Sequence, residues 1–338
     1  MIFHAITRVK GIGEAMRYTH QIALAMLMAM PTVSTLADEP TADQRLGPGA
    51  LSSHRQPELL NASGFVRFQL VGGRIVLDPV RYKKGSHQDT CDAFSESITV
   101  SSSSGLPSLF YVYNDSYQRV QMVAEYGQTL RIESVLHATG ECAVLEQTRG
   151  EEICWQTRRD PAIASPVDRE CRGATMLHIV GQDQAGFEVH LESLMTRMLR
   201  GRSVIQLTRQ TQSYLREHPS RLSAITRSEV NRLIDQLGSP RIADRRQASI
   251  ELTRLGLTAA PLLRVSLLRT DLDVEQLARI RKIMSLCPRA DEDTPVSLAC
   301  LLSTDRDHWQ ILAESMTMDQ RLAADQHMRR CGLDELRR

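Results

Sequence analysis

The sequence predicts an α+β protein in two parts, with an antiparallel β-rich module followed by an all-α stack of helical hairpins. Three observations predict this class. Short segments of alternating polar and apolar residues fill residues 65–157, apolar residues at helical spacing dominate residues 226–288, and Pro219 lies between the two. We therefore assign residues 64–220 to a β-rich domain with covering helices and residues 222–338 to an α-helical domain.

An export signal precedes both parts. The apolar run at residues 22–30 is too short to span a bilayer. Thr35 and Ala37 supply the small side chains that a signal peptidase requires before its cleavage site. We therefore expect residues 1–37 to be a cleaved signal peptide and the mature chain to be periplasmic or extracellular, without a transmembrane segment.

A flexible linker is predicted between the signal and the first domain. Residues 38–63 are rich in Pro, Gly, Ala, Ser and Asp and show no apolar period. Further upstream, Met16 begins a more compact signal than Met1 does, so either residue is a candidate start.

The β-rich part begins with a hairpin at residues 65–79. With Gly72 and Gly73 as a two-residue turn, Leu70 faces Ile75, and the apolar side chains share one face. Further strands are predicted at residues 98–102, 109–113, 119–124, 129–135, 143–146, 153–157 and 176–180. Covering and tail helices are predicted at residues 187–198, 204–218, 294–302, 304–316 and 319–330.

The helical half shows the strongest periodicity. Thr226 and Glu229 have the capping-box spacing at a helix start, and Gly238 suits the end of that helix. Ser239 and Pro240 suit the N-cap and first position of the next helix. The apolar residues expected to lie inward are Val230, Leu233, Ile234, Leu237, Ile242, Ala248, Leu252, Leu255, Leu262, Leu263, Val265, Leu267, Leu268, Val274, Leu277, Ile280 and Met284.

Short helices joined by two to four residues lie antiparallel to their neighbours. The pieces that carry a family resemblance are Pro240, residues 243–246 with Ala248, residues 255–256, residues 259–262 and residues 273–275. Residues 226–288 resemble the HEAT-like repeat unit of exported bacterial proteins of unknown function. The resemblance implies an α-solenoid hairpin stack, and it transfers no catalytic residue.

Charge gives little information about a partner over the whole chain but more within the helical half. The formal net charge is +1, whereas residues 226–288 hold eleven Lys or Arg against seven Asp or Glu. A solvated basic face and a surface for an anionic partner both fit this surplus. The candidate interaction face consists of Arg241, Arg245, Arg246 and Arg264.

The predicted export decides how the seven cysteines are interpreted. In an oxidising compartment, the four in the β-rich part are candidates for two disulfides with three possible connectivities. They are Cys91, Cys142, Cys154 and Cys171. The chain has no paired C-x-x-C spacing, so no metal site is predicted.

Candidate chemical groups each have a structural interpretation. Asp305, Asp307 and His308 could bind a divalent metal, but acids also belong at a helix start, and the capping interpretation is favoured. Asp271 and Asp273 are interpreted in the same way. His178 and His190 could converge with Glu188, but the two histidines are assigned to packing or to the surface. Cys142 could pair with His137, but Cys142 is assigned to a disulfide. No catalytic residue and no cofactor site is predicted.

These observations favour a non-catalytic protein–protein interaction or scaffold protein of the cell envelope, with another envelope protein as partner and without nucleic acid. The alternative is an extracytoplasmic hydrolase with its site in the β-rich domain. A closed pocket among Tyr113, His137, Trp155 and His178 would favour the hydrolase. A shallow groove on the helical half would favour the interaction protein.

Overall fold

The computed structural model describes residues 59–60, 66–78, 84–103, 106–125, 127–159, 167–222, 225–286 and 292–337. The predicted signal peptide lies outside these residues. So do Pro79, at the end of the predicted hairpin, and Cys287 and Pro288, at the end of the predicted helical stretch. Within the described ranges, none of the helices has the length and hydropathy needed to cross a bilayer.

The predicted hairpin is confirmed with its register. Its strands are β1 (Phe68–Val71) and β2 (Arg74–Leu77). Leu70 lies opposite Ile75, and Gly72 and Gly73 both have positive φ, as a two-residue hairpin turn requires. Arg67 pairs with Asp78 at 3.4 Å on the solvated side.

An eight-stranded antiparallel sheet follows, with its strands in the order of the chain. Its strands are β3 (Lys84–Thr90), β4 (Phe94–Ser103), β5 (Leu106–Asp115), β6 (Gln118–Glu125), β7 (Thr129–Leu136), β8 (Cys142–Thr148), β9 (Ile153–Arg158) and β10 (Arg169–Gly173). The six strands predicted between residues 98 and 157 all fall within β4–β9. The strands β3 and β10 escaped prediction because their sequences, KGSHQDT and RECRG, are largely polar.

One face of the sheet carries the core. Tyr111, Met122, Ile132, Leu145 and Trp155 form a row of directly opposed residues across five strands, and each is fully buried. Burial of each such side chain contributes about 1.5–3 kcal/mol, so this row ties the central strands together. The alternation that predicted these strands is the alternation between this face and the other.

The remainder of the chain is helical, which confirms the two-part α+β class. The helices are α1 (Met176–Gln182), α2 (Gln184–Phe187), a π-helical turn (Glu188–Glu192), α3 (Ser193–Met198), α4 (Val204–Glu217), α5 (Arg227–Leu237), α6 (Ile242–Leu255), α7 (Ala260–Ser266), α8 (Val274–Leu286), α9 (Pro295–Leu302), α10 (Arg306–Ala313) and α11 (Met318–Arg330).

The strand predicted at residues 176–180 is wrong, because this segment forms helix α1. All five of its residues are buried, so its apolar run has no polar face to distinguish a helical period from a strand. Thr175 is the N-cap, in extended conformation, and the sheet ends before it at Gly173.

The predicted flexible linker also differs from the structure at its carboxyl end. Leu59 and Leu60 are 7% and 4% exposed and belong to the main core. The Leu59 backbone N–H donates to the buried Glu96 carboxylate at 3.0 Å. The adjacent leucines Leu59 and Leu60 indicate in the sequence that the linker ends before them.

Two hydrophobic clusters hold the fold. The larger joins the hairpin and the sheet to α1–α4 and also to the tail helices, through Leu298, Trp309 and Met328. The smaller cluster lies within α5–α8, where Val230 and Leu252 are fully buried. The tail helices contribute their core residues to the larger cluster, and α9 packs on both α4 and α7. The predicted domain division near residue 222 stays a prediction.

The helical half forms hairpins much as its periodicity predicts. Thr226 Oγ1 accepts the Glu229 N–H at 3.2 Å, and Gly256 ends α6 with a φ of 62°. The N-cap of α6 is Arg241 rather than Ser239, whose hydroxyl instead donates to Asp244. Several residues expected inward are exposed, because these helices are covered on fewer sides than the period implied. They are Ile242, Val265, Leu268 and Val274.

Candidate functional site

A cleft of about 930 Å³ lies between the β1–β2 hairpin, the turns at one end of the sheet, and helices α7 and α8. The sheet contributes the β6–β7 turn at residues 127–129 and the β8–β9 turn at residues 149–151. Its apolar lining includes Phe68, Ile75, Leu77, Leu130, Leu267, Met284 and Leu301. The cleft therefore brings residues of the β part and of the helical hairpins to one surface.

The charged lining of the cleft is almost entirely cationic. It consists of Arg74, Arg149, Arg264, Arg281 and Lys282, with Glu151 as the one carboxylate among the described lining residues. Arg149, Arg281 and Lys282 are exposed, whereas Arg74 and Arg264 are half-buried. This arrangement suits an anionic ligand.

Backbone carbonyls fix the position of Arg74. Its Nη1 donates to the carbonyls of Glu151 at 2.8 Å and Ala174 at 2.9 Å, and its Nη2 donates to Thr148 at 2.8 Å. Burial, together with the positive charge of Arg264, lowers the pKa of Arg74 to about 10. The guanidinium is therefore rigidly placed, partly desolvated and close to a like charge.

The turn that carries Arg74 is held by the segment before α9. Asp293 Oδ1 accepts the Gly72 N–H at 3.0 Å, and its Oδ2 accepts the Gly73 N–H at 2.6 Å. The Asp293 N–H donates to the Leu70 carbonyl at 3.0 Å. Burial raises the pKa of Asp293 despite the two N–H donors, which lower it. These bonds fix one wall of the cleft to the tail of the chain.

Behind the other wall, Arg264 faces a buried polar cluster. Its Nη1 lies 3.9 Å from Asp305 Oδ2, while Asp305 Oδ1 lies 3.3 Å from His178 Nε2 and accepts the His308 N–H at 3.2 Å. Burial by itself raises the pKa of Asp305. The positive charge and hydrogen bond of His178 outweigh that effect and hold the pKa well below its usual range.

His308 is the least satisfied member of this cluster. It is fully buried, and neither of its ring nitrogens has a hydrogen-bond partner among the described residues. Its ring meets that of His178 edge to face, with centroids 5.0 Å apart. Burial first, and then the neighbouring charge of His178, lower the pKa of His308 to about 3. The folded state therefore holds this imidazole neutral.

Thr175, His178 and Asp305 form a hydroxyl–imidazole–carboxylate row. The Thr175 hydroxyl lies 2.9 Å from His178 Nδ1, which resembles an activated nucleophile. Thr175 is 1% exposed, however, and Gly73 lies so close that an added Cβ would stand 2.5 Å from the Thr175 Cβ. The row is sealed against substrate, so it is a structural link between α1 and the start of α10.

Of the four arginines of the predicted interaction face, one lines the cleft. Arg264 lines the cleft, whereas Arg241 and Arg246 are exposed on and beside α6, outside the cleft lining. Arg245 donates to the carbonyls of Ser239 and Pro240, so it holds the start of its own helix. The four-arginine interaction face stays a prediction.

Cys154 and Cys171, candidates on neighbouring strands, form no disulfide with each other, and the sheet register explains why. Cys171 lies opposite Trp155 and Cys154 lies opposite Arg172, so these two thiols project from opposite faces of the sheet. Both are free, and burial raises the pKa of each thiol.

The other two candidates are no better placed. Cys142 lies opposite Arg158, whereas Cys154 lies opposite Glu146, so Cys142 and Cys154 stand four residues apart along the strands. Disulfide Cα atoms must lie within about 7 Å of each other, which this separation exceeds. Cys91 is free and follows β3, at the sheet edge opposite to β10.

The residues proposed for a hydrolase pocket are absent from the cleft lining, and each has contacts of its own. The Tyr113 hydroxyl donates to Asp115, and His137 lies at an exposed turn beside Asn114. The Trp155 indole N–H donates to the buried carboxylate of Asp183. Together with the sealed His178, these contacts give each candidate a structural role.

Capping is confirmed for two acidic residues. Asp305 accepts the His308 N–H at the start of α10, and Asp273 accepts the Gln276 N–H at 2.6 Å at the start of α8. Asp271 instead pairs with Arg269 at 2.7 Å. Across the described ranges, His, Cys, Asp and Glu form no group of three or more that could hold a metal ion.

His178 and His190 do not converge. His190 lies on the π-helical turn, where its Nδ1 is 3.1 Å from the Ser134 hydroxyl and its Nε2 is 3.6 Å from Glu141. Burial lowers the pKa of His190, and the Glu141 charge opposes that effect. The imidazole therefore packs against the sheet rather than facing a cavity.

Sequence reasoning missed most of the cleft. Arg74 follows the Gly72–Gly73 turn and Arg149 precedes Gly150, so both were visible as charges at predicted turns. Arg281 was counted only in the basic surplus.

Comparisons of the chain with protein-family models, curated proteins and solved structures found no match. The resemblance to HEAT-like repeats therefore stays a prediction.

Proposed function

We propose that this chain is an exported, non-catalytic interaction protein of the cell envelope, and that its cleft receives a segment of another protein. Export is supported by the short apolar run before Thr35 and Ala37. The HEAT-like character of the helical hairpins is part of the same proposal, since stacked hairpins present extended binding surfaces.

The composition of the cleft lining carries the proposal. The described lining residues combine apolar side chains and cations, and they include no histidine, cysteine or serine. The buried hydroxyl–imidazole–carboxylate row nearby has no access to a substrate. A lining that combines apolar side chains with cations and includes no histidine, cysteine or serine favours recognition over turnover.

Site-specific photo-crosslinking tests the proposal. In the full chain, expressed in a bacterial host, a photoreactive amino acid replaces Gln128, which is exposed and lines the cleft. A matched variant carries it at Gln247, which is exposed on α6 outside the cleft. We expect a discrete protein adduct from position 128 and none from position 247.

The outcome that overturns the proposal is equally concrete. Adducts from position 247 alone would move the interaction surface to α6, where Arg241 and Arg246 lie. Absence of protein adducts at position 128, with equal folding of both variants by circular dichroism, would remove the cleft as the binding surface.

A further inference from the structure

The cationic cleft also carries information about the chemistry of its ligand. Arg74 and Arg264 are both partly buried, which makes their positive charges unfavourable. Neutral carbonyl oxygens compensate the charge of Arg74, and the carboxylate of Asp305 compensates that of Arg264. Burial lowers the pKa of Arg264, and the charge of Asp305 opposes that effect. An anion placed between the two guanidiniums relieves their repulsion, so the cleft favours a negative ligand.

Three of the arginines that line the cleft keep their side-chain donors free of hydrogen bonds to the described residues. Arg264 makes no hydrogen bond to any described residue, and its ion pair with Asp305 is long at 3.9 Å. Arg149 and Arg281 are exposed and form no ion pair within the part of the chain that the structure describes. Guanidinium groups bind carboxylates through two parallel N–H donors, so these three arginines can each receive one carboxylate.

The walls of the cleft favour a peptide over a nucleic acid. Single strands are held by aromatic side chains on which bases stack. Among the described lining residues the one aromatic is Phe68, which is 2% exposed and offers no face for stacking. Aliphatic side chains such as Leu77, Leu267 and Met284 line the cleft instead. They match apolar side chains that alternate with acidic ones.

We propose that the cleft binds an acidic peptide segment of the partner, with carboxylate side chains at Arg264 and at Arg149 or Arg281 and with apolar side chains against the aliphatic wall. This assignment rests on the proposed function and names the chemistry of the partner segment. Arg74 acts as the fixed charge beneath that segment, because its own donors are held by carbonyls.

Peptide titration of the full mature chain tests the assignment. The probe is a capped, fluorescently labelled heptapeptide of alternating glutamate and leucine, and its control replaces each glutamate with glutamine. We expect at least about tenfold weaker binding of the glutamine peptide, since a neutral amide forms weaker hydrogen bonds with a guanidinium group than a carboxylate does. Binding of the glutamate peptide is expected to weaken as salt is raised.

Matched variants locate the site. Arg149→Gln with Arg281→Gln removes two cleft charges and is expected to weaken binding of the glutamate peptide about tenfold. Arg246→Gln with Arg254→Gln removes two exposed charges of α6 outside the cleft and is expected to leave it unchanged. Both pairs replace exposed side chains, so folding is preserved and is checked by thermal unfolding.

Three results would overturn the assignment. They are equal binding of the two peptides, equal loss in the two double variants, and stronger competition by single-stranded DNA than by unlabelled glutamate peptide. Its failure is distinct from failure of the proposed function. A protein adduct at position 128 combined with no peptide binding would retain the cleft as an interaction site and reject only its acidic ligand.

Discussion

Individual side chains decide how the tail of the chain meets the β part. Asp305 contacts His178 on α1, caps α10 and faces Arg264 on α7, so a single carboxylate joins three helices. The sequence predicted its capping role from the D-x-D-H spacing, because a cap depends on neighbours three residues away. It did not predict the contact with His178, since that contact depends on the path of the intervening chain.

His308 supplies a prediction about stability and pH. Its folded pKa of about 3 lies below its usual 6.5, so the stability linked to the neutral ring is complete above pH 6.5 and is lost as pH falls toward 3. His308→Leu removes both unsatisfied nitrogens and is expected to raise the free energy of unfolding at pH 7 by about 1–3 kcal/mol. The gain is expected to be larger at pH 5, as measured by urea unfolding.

His87→Gln is the control for this variant, because His87 is exposed on the edge strand β3. It is expected to change neither stability nor its dependence on pH by more than about 0.5 kcal/mol. A loss of stability in His308→Leu at pH 7 would contradict the interpretation that the buried nitrogens are unsatisfied.

At the scale of elements, the β1–β2 hairpin is the piece on which the cleft depends. The hairpin itself was predictable, because the Gly72–Gly73 turn and the alternation on either side are local signals. Its tertiary position was not. Asp293 holds the turn from one side, and Thr175 packs against Gly73 from another, and both residues are distant in the sequence.

The two turn glycines allow a matched test of that packing. Both have positive φ, so an alanine at either position costs about 1 kcal/mol in backbone strain. At Gly73 the new Cβ would also stand 2.5 Å from the Thr175 Cβ, whereas at Gly72 it would meet nothing within 4 Å. We expect Gly73→Ala to lower the free energy of unfolding by about 1–3 kcal/mol more than Gly72→Ala does. Equal losses of unfolding free energy in the two variants, measured by thermal or urea unfolding, would show that the Thr175 side chain moves aside without cost.

At the scale of the whole molecule, two hydrophobic clusters of unequal size share the chain. The larger spans the sheet and both the early and the tail helices, and the smaller is confined to α5–α8. The helical periodicity predicted the inward residues of α5 correctly, because each contact of that helix repeats every turn. It overestimated burial in α6–α8, where Ile242, Val265 and Val274 are exposed.

The smaller cluster is expected to open independently of the larger. Leu233→Ala removes a buried side chain of α5 and is expected to lower local stability by about 2–5 kcal/mol. Hydrogen exchange measured by mass spectrometry is expected to accelerate in α5–α8 and to remain unchanged in β5–β8. Ile132→Ala, in the centre of the sheet, is the converse control. Uniform acceleration across both regions in Leu233→Ala would show that the two clusters unfold as one unit.

The sequence by itself determined the kind of most elements and the two-part order, because the periods of strands and helices and their caps are set by residues two to four apart. It misassigned α1 and missed β3 and β10, whose sequences lack the period of their own kind. Only the tertiary structure decided which arginines share a cleft, which cysteines face apart and which histidine meets Asp305. Arg74 and Arg264 come together through the packing of a hairpin against distant helices. The physical reason is that such contacts depend on how whole elements bury their apolar faces, and no local spacing in the chain encodes that arrangement.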